Sequence, residues 1–369
     1  MSDIVFIIYA MFGSMTRSLF GIAGIGPKKE QALVDAGYPS VDSLKEADIY
    51  EIASIPGFGL KTTYYIFECL DIPIHYPEMR LFDEPMSGPV SIENKFIKPW
   101  REYKKTDIID LAPEDYKCER TTVWSYPKRG AWATHNPQYR GNWPPQVARN
   151  IIELYSSPGD IVLDPMVGGG TTPVECKLLE RNSISVDINP DAARITLDRL
   201  DFDASSSDTN HQVYVGDVRN LDLLEDESID LIATHPPYVN IIHYAPLVRG
   251  DLSGISDYKL FFKEFRKAIS EMFRVLKPGR YCAVMIGDTH SSSHFVPFST
   301  HMMLDFLATG FILKEDIIKK EWNCESDRYL NKYGDADFLL TMHEHIFVFR
   351  KPNIGERNKN SSIEFFESY

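Results

Sequence analysis

The chain has no hydrophobic run long enough to cross a membrane. Its longest, Ile4 to Phe12, falls well short of the roughly 20 residues that a bilayer core demands, and it has neither the basic start nor the small-residue cleavage site of a secretory leader. Cysteine is sparse: Cys69, Cys118, Cys176, Cys282 and Cys324 lie far apart with no CxxC pair. That excludes a disulfide framework and a zinc-type spacing, and the thiols are expected to be reduced and mostly buried. Bases are also in short supply. With 39 Lys+Arg against 53 Asp+Glu the net charge is −14, so the surface as a whole repels nucleic acid and any contact with it must be local. What is present is apolar matter, 43% of 369 residues with 12% aromatic, which is enough for a large core and more than one domain. The sequence reads as a cytoplasmic protein, with Met11 or Met15 as an alternative start.

Four stretches differ in texture. Residues 1–80 read as an all-helical domain, 81–115 as a connector rich in Pro, Asp and Glu, 116–352 as an α/β domain, and 353–369 as a polar, flexible tail. The first contains an internal repeat. Gly24-Ile25-Gly26-Pro27 opens a helical pattern from Lys28 to Ala36, and Gly57-Phe58-Gly59 opens another from Leu60 to Leu70, each preceded by an apolar residue, Ile22 or Ile55. This resembles the helix-hairpin-helix family, in which such hairpins direct backbone N–H groups at a phosphate. The resemblance implies nucleic-acid contact at Gly24, Gly26, Gly57 and Gly59. Against it, residues 1–80 hold 6 bases and 10 acids, and a protein-contact module of four helices remains the alternative.

In the α/β stretch, β-branched runs alternate with helical patterns, which predicts a doubly wound parallel sheet. Ile161-Val162-Leu163 ends in Asp164-Pro165-Met166-Val167-Gly168-Gly169-Gly170-Thr171-Thr172, a strand-to-helix turn whose glycines let backbone approach a ligand. No lysine follows, so it is not a phosphate-binding Walker loop. The strand Ser183 to Val186 ends at Asp187 and the strand Gln212 to Val215 at Gly216-Asp217. Three acids at successive strand ends converge on the crevice where open α/β sheets bind ligands, and one such acid can take both hydroxyls of a ribose. The alternative is that each simply caps the next helix.

A fourth strand, Ile229 to Ala233, ends in Thr234-His235-Pro236-Pro237-Tyr238, where two prolines fix the backbone beside an aromatic ring. Together, Asp164 to Thr172 and His235 to Tyr238 resemble the D-P-x-x-G-x-G-T-T turn and the (D/N/S)-P-P-(Y/F) site of the S-adenosylmethionine-dependent DNA amino-methyltransferases, over about residues 136–352. The resemblance implies a Rossmann-like, seven-stranded methyltransferase sheet and methyl transfer to N4 of cytosine or N6 of adenine in DNA. It implies donor contacts from Tyr139, Gly141, Asp164, Pro165, Gly168, Gly170, Thr171, Asp187 and Asp217, and catalysis by His235, Pro236, Pro237 and Tyr238. In that picture the Pro236 carbonyl and His235 side chain accept the amine hydrogens while Tyr238 stacks on an extruded base. Two residues depart from the pattern: Met166 stands for Phe, and His235 for Asp, Asn or Ser. A structural His capping the loop is the alternative for His235.

Residues 116–150 carry 6 bases and one acid, interleaved with Trp124, Tyr126, Trp132, Tyr139 and Trp143. Such a stretch suits an extruded base and its flanking phosphates, and Lys128, Arg129 and Trp132 are its candidate contacts; tryptophans bridging the connector to the core are the alternative. No metal site is expected, because the histidines lack convergent carboxylates or cysteines. Cytosine N4 is favoured over adenine N6, with a paired restriction enzyme as a possible partner. An RNA base-amine methyltransferase and an inactive nucleic-acid-binding protein are the competing readings.

Overall fold

The computed structural model describes residues 19, 22, 25–70 (apart from 46 and 48), 72, 108, 110–113 and 116–356, the last range without 138, 140, 205–207, 239–249, 256, 292–293 and 323–337. Most of the connector, the residues from 357 onward, Gly24 and Arg140 therefore lie outside the described residues. The chain divides into two compact units, Met1–Glu78 with Ile255–Asp257, and Met79–Gly254 with Tyr258–Tyr369.

In the first unit, α1 (Pro27–Asp35), α2 (Val41–Lys45), α3 (Ile49–Ala53) and α4 (Leu60–Cys69) form the expected pair of hairpins. Pro27 occupies the first turn of α1, where its missing N–H is no loss, and the Gly26 carbonyl accepts from Lys29 and Glu30 at 2.9 Å. The second hairpin needs glycine, since Gly57 and Gly59 have φ of +90° and +81°. Leu33, Leu44, Ile52, Ile66 and Phe67 close a small core.

The second unit is built on one sheet. In chain order its elements are β1 (Val123–Ser125), α5 (Pro145–Tyr155), β2 (Ile161–Asp164), α6 (Thr171–Leu178), β3 (Asn182–Asp187), α7 (Pro190–Leu200), β4 (His211–Val215), β5 (Ile229–Thr234), α8 (Tyr258–Val275), β6 (Leu276–Ile286), the short β7 (Thr289–Ser291) and β8 (His294–Val296), α9 (Phe298–Thr309), β9 (Ile312–Lys320) and β10 (His343–Arg350). The sheet order is β1-β9-β10-β6-β5-β2-β3-β4, with β7 and β8 forming a separate hairpin. β10 runs antiparallel to β6 and β9, and the remaining pairs are parallel. The seven expected strands are present, and the structure adds an eighth. β1 was not anticipated because it has only three residues, and it joins the edge beside β9 with Trp124, 1% exposed, driven into the core.

The central strands β2 and β5 form where the sequence supplies largely apolar runs, as sheets covered on both faces require. All six residues of β5 are buried. α5 presents Val147, Ala148, Ile151 and Ile152, all fully buried, to the sheet, a one-sided helical stripe. α6 begins at Thr171, directly after Gly170, which caps it at φ +80°.

One buried carboxylate attaches the stretch before α5 to the sheet. Glu175 of α6, fully buried, accepts from Trp132 Nε1 at 2.7 Å and Arg149 Nη1 at 2.9 Å and lies 2.6 Å from His135 Nε2. Glu175→Ala leaves the Arg149 charge without that partner, so unfolding free energy should fall by about 3–5 kcal/mol, measured as a shifted urea midpoint. An unchanged midpoint would show that the cluster contributes nothing to stability.

Candidate active site

The sheet reverses direction between β2 and β5. From β2 the chain winds one way through β3 and β4, then returns to place β5 on the other side, so a crevice opens beyond the carboxyl ends of these strands. There the structure has a cleft, partly open to solvent, lined by Tyr139, Gly141, Asn142, Trp143, Asp164 to Gly168, Asp187 to Asn189, Gly216 to Val218, His235, Pro237 and Gly250 to Leu252.

The four carboxylates in it differ in their surroundings. Asp164 is 3% exposed and fully engaged, accepting from Thr172 Oγ1 at 2.5 Å, from Thr234 Oγ1 at 2.8 Å and from the Met166 N–H at 3.3 Å. Burial pushes its pKa up to about 6 despite these donors. Asp187 accepts from the Gly168 and Asn189 N–H groups, both at 2.8 Å, and burial pushes it up to about 7, with Asp251 and Asp164 adding to the effect. Asp217 is clamped by Arg219, whose Nε lies 3.0 Å from both oxygens and whose Nη2 lies 2.5 Å from Oδ2; Arg219 also reaches Glu264 at 2.9 Å. Asp251, which the sequence reading missed, holds Ser253 through its N–H at 2.8 Å and its hydroxyl at 2.6 Å.

The glycines act by conformation and by close packing. Gly168 and Gly170 have φ of +55° and +80°, and a Cβ on Gly168 would come within 3.0 Å of Tyr139 Cε1. Gly170 and Thr171 fall outside the cleft lining. Gly170 packs against the Thr196 backbone, where a Cβ would meet Cα at 3.1 Å, and Thr171 is buried with Oγ1 unbonded among the described residues. The 139–143 segment is tied to this turn, since Asn142 Oδ1 accepts from the Gly169 N–H at 2.9 Å.

Arg129 and Trp132 do not take the positions expected of nucleic-acid contacts. Arg129 donates to the Asn142 and Trp143 carbonyls at 2.9 Å each, and Trp132 is 8% exposed with its N–H on Glu175. Both are turned inward because the stretch must satisfy buried carbonyls and a buried carboxylate. Lys128 is exposed. Gly26, Gly57 and Gly59 have open space where a Cβ would stand.

At the end of β5, Pro236 is buried and Pro237 lines the cleft. The His235 ring stacks on Trp143, with centroids 6.3 Å apart at 23°. Its Nε2 lies 2.8 Å from Tyr238 Oη, which donates to Glu344 Oε1 at 2.5 Å. Nδ1 is buried without a hydrogen bond of ordinary geometry. Burial lowers the ring's pKa, with Glu344 opposing that effect, so the imidazole is neutral at pH 7. Both nitrogens therefore face protein, and the ring as placed does not present a free acceptor to a target amine. Glu344 was missed by the sequence reading. The only signal for it was an acid between two histidines at the start of a strand, and sheet pairing alone brings it to the Tyr238 turn.

The lining contains no Lys or Arg among the described residues. Four carboxylates without a cation disfavour a phosphate-bearing ligand and favour one with positive charge and hydroxyl or amine donors. Asn142 Nδ2, buried and unpartnered, adds a polar donor to the same cleft.

This is a Rossmann-like α/β protein with an acidic ligand cleft at its switch point and a Pro-Pro-Tyr turn at the rim. The chain belongs to the DNA methylase family, whose sequence profile matches residues 90–198 and 229–368, and residues 16–64 match that of a SAM-like helix-hairpin-helix tandem. Among its relatives, the Type II methyltransferase M.MjaI of Methanocaldococcus jannaschii is 26% identical over 188 residues, covering 44% of this chain and 62% of that protein. The Type II methyltransferase M.Cfr9I of Citrobacter freundii is 32% identical over 140 residues, 35% of this chain and 44% of that protein. The chain thus spans less than two thirds of the length of these relatives. A solved SAM-dependent methyltransferase from Methanosarcina mazei is 16% identical, covers 55% of this chain and 97% of its own, and has a TM-score of 0.39.

Gly168→Ala and Gly170→Ala should each cost about 1–3 kcal/mol of stability, because each forces a side chain into the left-handed region against a packed neighbour. Thermal unfolding checks this, and a variant as stable as the wild type would show that the turn has another conformation.

Proposed function

We propose that this chain transfers the methyl group of S-adenosylmethionine to the exocyclic amine of a base in DNA, at N4 of cytosine in preference to N6 of adenine. The observation that carries the reading is an acidic cleft at the sheet's switch point, with no Lys or Arg among its described lining residues, directly beside the His235–Tyr238 turn. Family membership supports it. The resemblance associates an uncharged first residue of the quartet, serine, with cytosine and an aspartate with adenine, and the neutral His235 ring is closer to the former.

When bound, S-adenosylmethionine supplies an electrophilic methyl group on a positively charged sulfur. The cleft fits such a donor by its chemistry. Asp187 would accept the ribose hydroxyls. Asp164, whose oxygens are already occupied, would contribute negative charge near the methionine ammonium, and Asp217, held by Arg219, would face the adenine. Tyr139, Gly141 and Gly168 would border the donor. An exocyclic amine is a weak nucleophile because its lone pair is delocalised into the ring, so the chain's task is to localise that pair and aim it. The Pro236 carbonyl would accept one amine hydrogen, while Pro237 fixes the turn and Tyr238 stacks on the extruded base. Contact of the helix-hairpin-helix glycines and Lys128 with DNA phosphates belongs to the same proposal.

The Asp187 carboxyl gives donor binding a pH signature. Hydroxyl donors bind the ionised form, so a folded-state pKa of about 7 makes affinity full above pH 7. Below pH 7 affinity is lost, approaching about tenfold per pH unit. Calorimetry of wild type and Asp187→Asn checks this: the variant should bind at least tenfold more weakly at pH 8 and lose the pH dependence. Equal affinity would remove Asp187 from the donor site.

With labelled donor and DNA or RNA offered separately, mass spectrometry of the nucleosides should find N4-methylcytosine from DNA alone. Tyr238→Ala should weaken DNA binding by about 1–3 kcal/mol and reduce turnover. Methylation of RNA alone, or full activity in this variant, would overturn the assignment.

A further inference from the structure

Behind the Pro-Pro-Tyr turn, β9 and β10 place an ion pair where the sheet itself has no need of one. Glu344 of β10 pairs in register with Lys319 of β9, and two steps further along the same face the partners are Ile346 and Ile317, both buried. An apolar pair at 319 and 344 would continue that face. Enclosing a carboxylate and an ammonium instead is unfavourable unless geometry repays it, and an apolar pair of similar volume is often the more stable choice. Lys319 is nonetheless buried, and its Nζ donates to Glu344 Oε2 at 2.8 Å and to Glu321.

What the pair holds is the hydroxyl of Tyr238. Burial works against a charge on Glu344, but the Lys319 ammonium beside it keeps the carboxyl well below the usual carboxylate range, so Glu344 is a charged acceptor. Its Oε1 takes the Tyr238 hydroxyl at 2.5 Å, the distance of a charge-assisted hydrogen bond. Gly287, just past β6, fits the contact closely, since a Cβ there would stand 3.3 Å from Tyr238 Cε2 and 3.4 Å from Glu344 Cγ. Tyr238 is half-buried: its ring reaches the rim of the site while its polar end is gripped from a strand 106 positions away.

We infer that Glu344 is a positioning residue: through the hydroxyl it fixes the ring of Tyr238, so that a base leaving the duplex meets a stacking platform already in place. Its purpose rests on the methyl-transfer reading. Stacking tolerates many placements of one ring over another, because every base presents a π-face, and by itself it would not aim an amine. In-line attack on a methyl group needs near-attack geometry, in which an ångström of misplacement can cost roughly 10²-fold. A contact at the far end of the phenol restrains both side-chain torsions of Tyr238 at once and removes that freedom before the base arrives. An ion pair that served only the sheet would leave the turn indifferent to its loss.

The first measurement needs neither donor nor DNA. In protein labelled with 13C at tyrosine Cζ, with the Tyr238 signal assigned by its loss in Tyr238→Phe, that signal should lie downfield of exposed tyrosines, as in a phenol donating to a carboxylate, and should move upfield in Glu344→Gln. The second is turnover on unmethylated, PCR-amplified DNA of mixed sequence. Tyr238→Phe keeps the ring and removes only the hydroxyl, so it and Glu344→Gln should each lower kcat roughly tenfold or more, with donor affinity unchanged. The double variant should be no slower than either single one, because both changes remove the same contact. A Tyr238 signal unmoved in folded Glu344→Gln, wild-type kcat in that variant, or effects that multiply in the double variant would overturn the inference. If Glu344→Gln does not fold, Tyr238→Phe decides alone, and wild-type kcat there would overturn it equally. Failure of the methyl-transfer reading would instead appear as absence of a methylated nucleoside from the wild-type protein, and the Cζ shift would still test the anchor.

Discussion

The contact on which the site depends is the one made by Asp164. Its carboxylate ends β2, accepts the hydroxyl of Thr234 at the end of β5, and accepts that of Thr172 in the first turn of α6. β2 and β5 are the strands between which the sheet reverses, so one buried group joins both lips of the crevice to the helix that closes it. The residue after Thr234 is His235, and the proline turn is therefore referenced to the same anchor. Burying a carboxylate is unfavourable unless donors surround it, and here the donors are hydroxyls and a backbone N–H. Among the described residues no ion pair neutralises it, and its proton affinity remains raised.

A second set of contacts shapes the other wall. Arg129 holds the carbonyls of Asn142 and Trp143, Asn142 holds the Gly169 N–H, and Glu175 gathers Trp132, His135 and Arg149. Basic and aromatic side chains that resemble a nucleic-acid surface in the sequence are thus spent on scaffolding. The result is a cleft bordered by carboxylates with no Lys or Arg among its described lining, a local expression of the chain's acidic balance that suits a cationic, hydroxyl-bearing donor. Of the three candidate contacts in that stretch, only Lys128 points outward.

Much of the donor side was legible from sequence because its signals are local. A strand followed by Asp-Pro and three glycines, then strands ending in acids, places backbone and carboxylates at one sheet edge by topology alone. The strand ends carrying Asp164, Asp187 and Asp217 do meet at one cleft. What each carboxylate does there was not legible, since a strand-end acid with free oxygens, one tied to hydroxyls, as in Asp164, and one clamped by arginine, as in Asp217, look alike in sequence.

The sequence by itself determined the order of strands and helices, the hairpin repeat, the glycine turn and the Pro-Pro-Tyr turn, because each follows from backbone preferences and apolar periodicity within a few neighbouring residues. Only the tertiary structure decided the direction in which Arg129 and Trp132 face, the addition of β1 to the sheet edge, and the meeting of Glu344 with Tyr238 across 106 positions of chain. Those contacts depend on which strands pair and in what register, and register is set by the packing of the whole sheet: a shift of one residue would turn Glu344 to the opposite face and leave the Tyr238 hydroxyl without its acceptor.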